Sequence, residues 1–184
     1  MRLRSLLVIP VLFAGLGLAY DAYTSVRQKF DDISSDRLRP GTLLTISPAE
    51  LNAYAAHEAP DGVRQTHVEI PAPGIAKGSA IVDFARLRTS QGNPPGFLLS
   101  MLLSGERPVS VTARIRSADG HATVEVQQVQ IGGMEIEGAT LDFLIQNFLI
   151  PLYPDAAVGR PFELGHHIQK LDVQPAAVGV MIGR

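Results

Sequence analysis

The chain of 184 residues has no cysteine, which excludes disulfides, thiolate metal sites, a cysteine nucleophile and a lipidated cysteine after a leader. It also lacks any cluster of basic residues. Sixteen Lys/Arg against 18 Asp/Glu give a net charge of -2, without the basic, aromatic-interleaved strip that a nucleic-acid binder needs. DNA and RNA are therefore not expected partners. There is no internal repeat, low-complexity tract or long charge run, so neither a solenoid nor a disordered tail is expected.

Catalytic signatures are missing as well. The histidines are His57, His67, His121, His166 and His167, and none sits in an HExxH pattern; GxSxG and Walker motifs are absent too. Glu163 with His166-His167 comes nearest to a metal set. Neighbouring strand residues point to opposite faces, so no metal is expected there. Gly132-Gly133 lacks the rest of a phosphate loop and reads as a turn between a strand and a helix. Asp83, Asp142 and Asp155 stand as lone carboxylates without an acid/base partner. The expectation is a non-enzymatic protein without a cofactor.

What is present begins with Arg2 and Arg4 before an uncharged apolar run from Ser5 to Tyr20. Residues 1–22 read as an export signal, with two fates open. Cleavage after Ala19 is one; retention as a single anchor, with Tyr20 and Tyr23 at the interface, is the other. Arginines on the N-terminal side place the remainder outside the cytoplasm. Residues 23–41 are polar and mixed in charge, with Val26, Phe30 and Ile33 at helical spacing. They read as a stalk, either a short amphipathic helix or a plain linker ending at Pro40-Gly41.

Residues 42–184 are long enough for one domain with its own core. Thr42–Ile46 reads as a short strand. Ser47-Pro48-Ala49-Glu50 is a capping box with proline at the first helical position, and the helix should run to about Ala59, before Pro60 and Asp61-Gly62. From Val63 the period changes to two. Val68 and Ile70, then Ala80, Val82 and Phe84, form a hairpin across a turn placed at Pro71–Gly78. Val109 to Ile115 and Ala122 to Val126 form a second hairpin across Ala118-Asp119-Gly120. After Gln127-Gln128 the apolar phase slips to Val129 and Ile131, which predicts a β-bulge and a bent strand. Phe162 to Ile182 closes the chain with two more strands. Hairpins with segregated helices give an α+β fold rather than a nucleotide-binding parallel sheet.

Two apolar stretches need cover. In residues 138–154, Leu141, Leu144, Ile145, Phe148 and Leu149 repeat at helical spacing and continue to Leu152. This helix reads either as core or as one wall of a slot for an apolar ligand. Between the hairpins, Phe97, Leu98, Leu99, Met101, Leu102 and Leu103 crowd into seven positions. They form either a cap on the core or a lip that touches lipid.

The pattern resembles the LmeA-like and YpmS-like bacterial envelope proteins, relatives of the tubular lipid-binding (TULIP) domains. The N-terminal apolar segment, the ISPAELNAY helix start from Ile46 to Tyr54, VQQVQIGGMEIEGATLDFLI from Val126 to Ile145 and FELGHHIQKLDV from Phe162 to Val173 carry the likeness. The resemblance implies a curved antiparallel sheet wrapped around an apolar helix and an elongated groove for a phospholipid or similar membrane lipid. It assigns Leu141, Leu144, Ile145, Phe148 and Leu149 to groove or core. The expected function is extracytoplasmic lipid binding at the inner membrane, or in the periplasm if the leader is cleaved. Phe97, Leu98, Met101 and Leu102 are added as lipid contacts. The alternative is a structural module of the envelope with a filled core and a protein partner.

Overall fold

Ser47 starts its helix as its chemistry dictates. Its hydroxyl accepts from the Glu50 amide at 3.3 Å, the Glu50 carboxylate accepts from the Ser47 amide at 2.7 Å, and Pro48 occupies the first helical turn. The computed structural model describes residues 11–90, 105–152 and 158–184. It is α+β with antiparallel sheets, as the period changes imply.

The elements are α1 (Val11–Ser34), β1 (Leu43–Ile46), α2 (Pro48–His57), β2 (Val63–Ala72), β3 (Ile75–Asp83), α3 (Phe84–Ser90), β4 (Glu106–Ala118), β5 (His121–Ile131) and β6 (Met134–Glu135). The helix α4 follows as three contiguous segments, Gly138–Leu144, Ile145–Leu149 and Ile150–Leu152, the middle one π-helical. The chain ends with β7 (Phe162–Glu163), β8 (Ile168–Gln174) and β9 (Ala177–Ile182).

A large sheet has the order β2-β3-β4-β5-β6, with β7 added to β5. Both expected hairpins are there. The first turns at Pro73-Gly74 rather than across Pro71–Gly78, because Ile75 to Gly78 continue the strand opposite β4. Pro71 is tolerated because it lies in an irregular part of an edge strand. The second turns on Asp119 and Gly120, whose φ angles of 51° and 76° match a tight two-residue hairpin. The bulge falls where the phase slips: Thr112 pairs with Gln128 and Ala113 with Val126, leaving Gln127 as the extra residue. Gly132-Gly133 makes a hairpin turn from β5 into β6, so the helix begins one step later than the sequence suggests.

The closing strands join β1 in a separate sheet, β1-β9-β8. The tips of the large sheet bind the outer edge of β8 at alternate residues. Gly120 N donates to the Gln169 carbonyl at 2.9 Å, Leu171 N to Ser117 Oγ at 2.9 Å, and Gly74 N to the Val173 carbonyl at 2.8 Å. That edge is thereby closed to other strands.

Residues 23–41 depart from the stalk reading. Val26, fully buried, and Ile33 join Ile46, Val180 and Ile182 in one hydrophobic cluster, with Tyr23, Phe30, Leu51 and Tyr54 packed around it. The helical spacing of Val26, Phe30 and Ile33 thus marks a core face of the domain. Among the described residues no helix is long and apolar enough to cross a membrane; residues 1–10, the first part of the expected anchor, lie outside them.

A second cluster, Val82, Phe84, Leu87 and Phe148, sits at the other end of the large sheet. Phe148 stands edge-on to Phe84, with ring centroids 5.2 Å apart. Gly62 secures this end. With φ at 91°, a Cβ there would lie 2.7 Å from Leu87 N, and its carbonyl accepts from Asp83 N at 2.7 Å.

Candidate functional site

An apolar groove of about 440 Å³ lies between α2 and the large sheet. Strand alternation puts Val68, Gly78, Ala80, Val109 and Val111 along it. Gly78 pairs with Val68 on one side and Val111 on the other, so the smallest side chain occupies the middle of the floor. A Cβ placed on Gly78 would meet nothing within 4 Å. The cavity therefore follows from sequence: a recessed row of Gly78 and Ala80 between valines. Tyr54 and Ala55 of α2, with Ala59, Pro60 and Val63 beyond it, supply the facing wall.

Asn52 fixes the spacing between α2 and the sheet. Its amide nitrogen donates to the Val68 carbonyl at 2.8 Å, and its amide oxygen accepts from Val68 N, also at 2.8 Å. The side chain thus pairs with edge strand β2 as another strand would. Sequence reasoning missed this residue. The available signal was an asparagine in mid-helix, where its propensity is poor unless the side chain has backbone to bind.

One rim of the groove is polar. Glu58 accepts from the Tyr23 hydroxyl at 2.8 Å and lies 3.3 Å from His57 Nδ1, while His57 stacks on Tyr23 with ring centroids 3.7 Å apart. The Tyr23 hydrogen bond, reinforced by His57 and Arg27, holds the Glu58 carboxyl below its usual range, so this rim carries the Glu58 carboxylate beside the Arg27 cation.

The residues singled out from sequence are distributed differently. Phe148 is buried and Leu144 packs against its cluster, whereas Leu141, Ile145 and Leu149 are half-buried and Phe143 is 41 % exposed. None of these five site candidates lines the groove. This groove is walled by α2; α4 contains a π turn at Ile145–Leu149, and Phe148 alone among the described α4 side chains is buried. The link to α4 is indirect: Val63, Ala80 and Val109 line the groove and also pack against the Phe148 cluster. Phe97, Leu98, Met101 and Leu102 lie outside the described residues.

A cleft of about 830 Å³ runs between Pro40-Gly41, the Asp119-Gly120 turn and the C-terminal residues. Its walls are largely turn backbone already hydrogen-bonded, as in Gly183 N to the His167 carbonyl at 2.7 Å, and its side chains do not converge on one chemistry. His166 and His167 lie in a turn with φ of 45° and 55°, and among the described residues no group of three or more His, Asp or Glu could hold a metal ion. The apolar groove is the better candidate because it combines a concave apolar floor, a fixed width and one charged rim. No family model, curated protein or solved structure matches this chain, so these features carry the functional argument by themselves.

Proposed function

We propose that this is an extracytoplasmic lipid-binding domain that holds one acyl or polyprenoid tail in the groove between α2 and the large sheet, without a catalytic step. The single observation behind this reading is a groove of about 440 Å³ with an apolar floor, a volume within the usual range for small-ligand pockets. Each methylene removed from water contributes about 0.8 kcal/mol, so ten would contribute about 8 kcal/mol before the cost of immobilising the chain. The TULIP-like arrangement, a curved sheet wrapped around an apolar helix, fits the seating of Phe148 and Leu144 against Val82, Ala80 and Val109. The apolar N-terminal run would hold the domain at the membrane from which the lipid comes.

A second reading, an envelope module that binds a protein partner, draws on Met134 and Phe143, exposed by 68 % and 41 %. Native mass spectrometry of the full chain from a bacterial host, with lipid extraction, separates the two. A stoichiometric co-purifying lipid is the expected result. A clean apo mass that persists when phospholipid is added would overturn lipid binding and favour the partner. Truncating at residue 30 is unsuitable, since it removes Val26 and Lys29 from the folded domain.

A further inference from the structure

The wall of the groove contains an unpaired polar atom. Thr66 Oγ1 is buried and has no hydrogen-bond partner among the described residues, yet Thr66 lines the groove between Val63 and Val68, with His67 and Ser79 as its polar neighbours there. Buried hydroxyls are normally satisfied, so an exception asks for a reason.

The residue sits in a β-bulge. Arg64 pairs with Ile81 and His67 with Ser79, so Gln65 and Thr66 together stand opposite the single residue Ala80. Gln65 has φ of 52°, in the left-handed region that non-glycine residues seldom adopt. The extra residue resets the strand phase. Without it, alternation from Val63 would turn His67 and Glu69 inward; with it, Thr66, Val68 and Ile70 are the half-buried positions and His67 stays exposed at the groove's edge. The phase reset accounts for the bulge. It does not account for a hydroxyl at position 66, where valine would fill the same volume and leave nothing unpaired.

We infer that Thr66 is the polar anchor of the groove: its hydroxyl donates a hydrogen bond to an acceptor oxygen that the ligand brings in, the carbonyl or carboxylate of an acyl chain. This rests on the groove being a lipid site, and it narrows the ligand to a fatty acid or acyl ester. A polyprenoid chain has no acceptor along its hydrocarbon length. One rotamer step about χ1 exchanges the hydroxyl with the methyl group, so the donor can be re-aimed without moving the strand. Away from bulk water, a hydrogen bond made there faces little competition.

The test uses the full chain as wild type, Thr66→Val and Thr66→Ser, with a fluorescent phenyl-naphthylamine probe in the groove displaced by methyl laurate or by dodecane. Methyl laurate should displace the probe from wild type and Thr66→Ser at about tenfold lower concentration than from Thr66→Val. Dodecane should not distinguish the three proteins. Equal displacement by methyl laurate from all three overturns the anchor and leaves the groove standing. If neither compound displaces probe from the wild type, the lipid site itself falls, and the anchor with it. Thermal melts of the three ligand-free proteins verify that each is folded; removal of an unpaired hydroxyl should leave Thr66→Val at least as stable as wild type.

Discussion

Lys29 Nζ lies 2.6 Å from Glu50 Oε1, and this pair locks the first helix to the cap of the second. The same ammonium donates to the Thr45 carbonyl at 2.6 Å, and Ser25 Oγ donates to Glu50 Oε1 at 2.6 Å. With Ser47 N and Ser47 Oγ on Oε2, at 2.7 and 2.9 Å, the carboxylate has four donors. Helix capping and helix docking are therefore one interaction, built on a residue that is 7 % exposed.

That pair makes stability depend on acid. Burial alone would raise the Glu50 pKa, but the hydrogen bonds from Lys29, Ser25 and Ser47 outweigh it and lower the value from 4.5 to about 2. Because the folded-state value is the lower one, the stabilisation is complete above about pH 4.5 and is lost as pH falls through about 2. Its size is about 3 kcal/mol at most, since Lys29 keeps 27 % of its side chain exposed to screening. Urea unfolding from pH 6 to pH 2 should show this slope in the wild type and a flatter one in Glu50→Gln.

Val26 tests whether α1 belongs to the domain. Truncating this fully buried side chain should lower stability by about 2 kcal/mol through lost transfer energy and a residual cavity. Gln28→Ala, on the exposed side of the same helix, should stay within about 0.5 kcal/mol. Equal effects in denaturant melts would return residues 23–41 to the status of a stalk.

Gly78→Leu should close the groove without unfolding the sheet. The added side chain enters open space from a backbone conformation that any residue can adopt, and it replaces a strand glycine. The melting temperature should be kept or raised while lipid uptake is lost. Retained uptake in this variant would move the site elsewhere.

Gly62→Ala should be strongly destabilising, by more than about 2 kcal/mol. A Cβ at φ of 91° meets Leu87 N at 2.7 Å and Asp83 O at 2.8 Å, both backbone atoms that cannot swing aside. A thermal melt within about a degree of wild type would contradict this packing.

The sequence made the local features legible. The capping box of Ser47 and Glu50, the Asp119-Gly120 hairpin and the extra residue at Gln127 each depend on neighbours a few positions away, and each is found in the structure. The misreadings involve partners distant in the chain. Val26 and Ile33 look like a weak stripe on a polar helix until Val180 and Ile182 arrive to cover them. The sequence draws attention to α4 because its leucines are conspicuous, whereas the groove beside α2 is made by what is small. Gly78 and Ala80 show only as modest residues in a strand. Asn52 gave a faint sign, a helix-interior amide whose partner at Val68 could not be inferred from spacing.

The α1 helix has a mechanical consequence. It runs without interruption from Val11 to Ser34, about 36 Å at 1.5 Å per residue, while its described packing into the core begins at Tyr23. Lys29 ties it through Glu50 to the start of α2, and Asn52 ties α2 to the edge of β2, so α1 is joined by two polar contacts to the elements that border the groove.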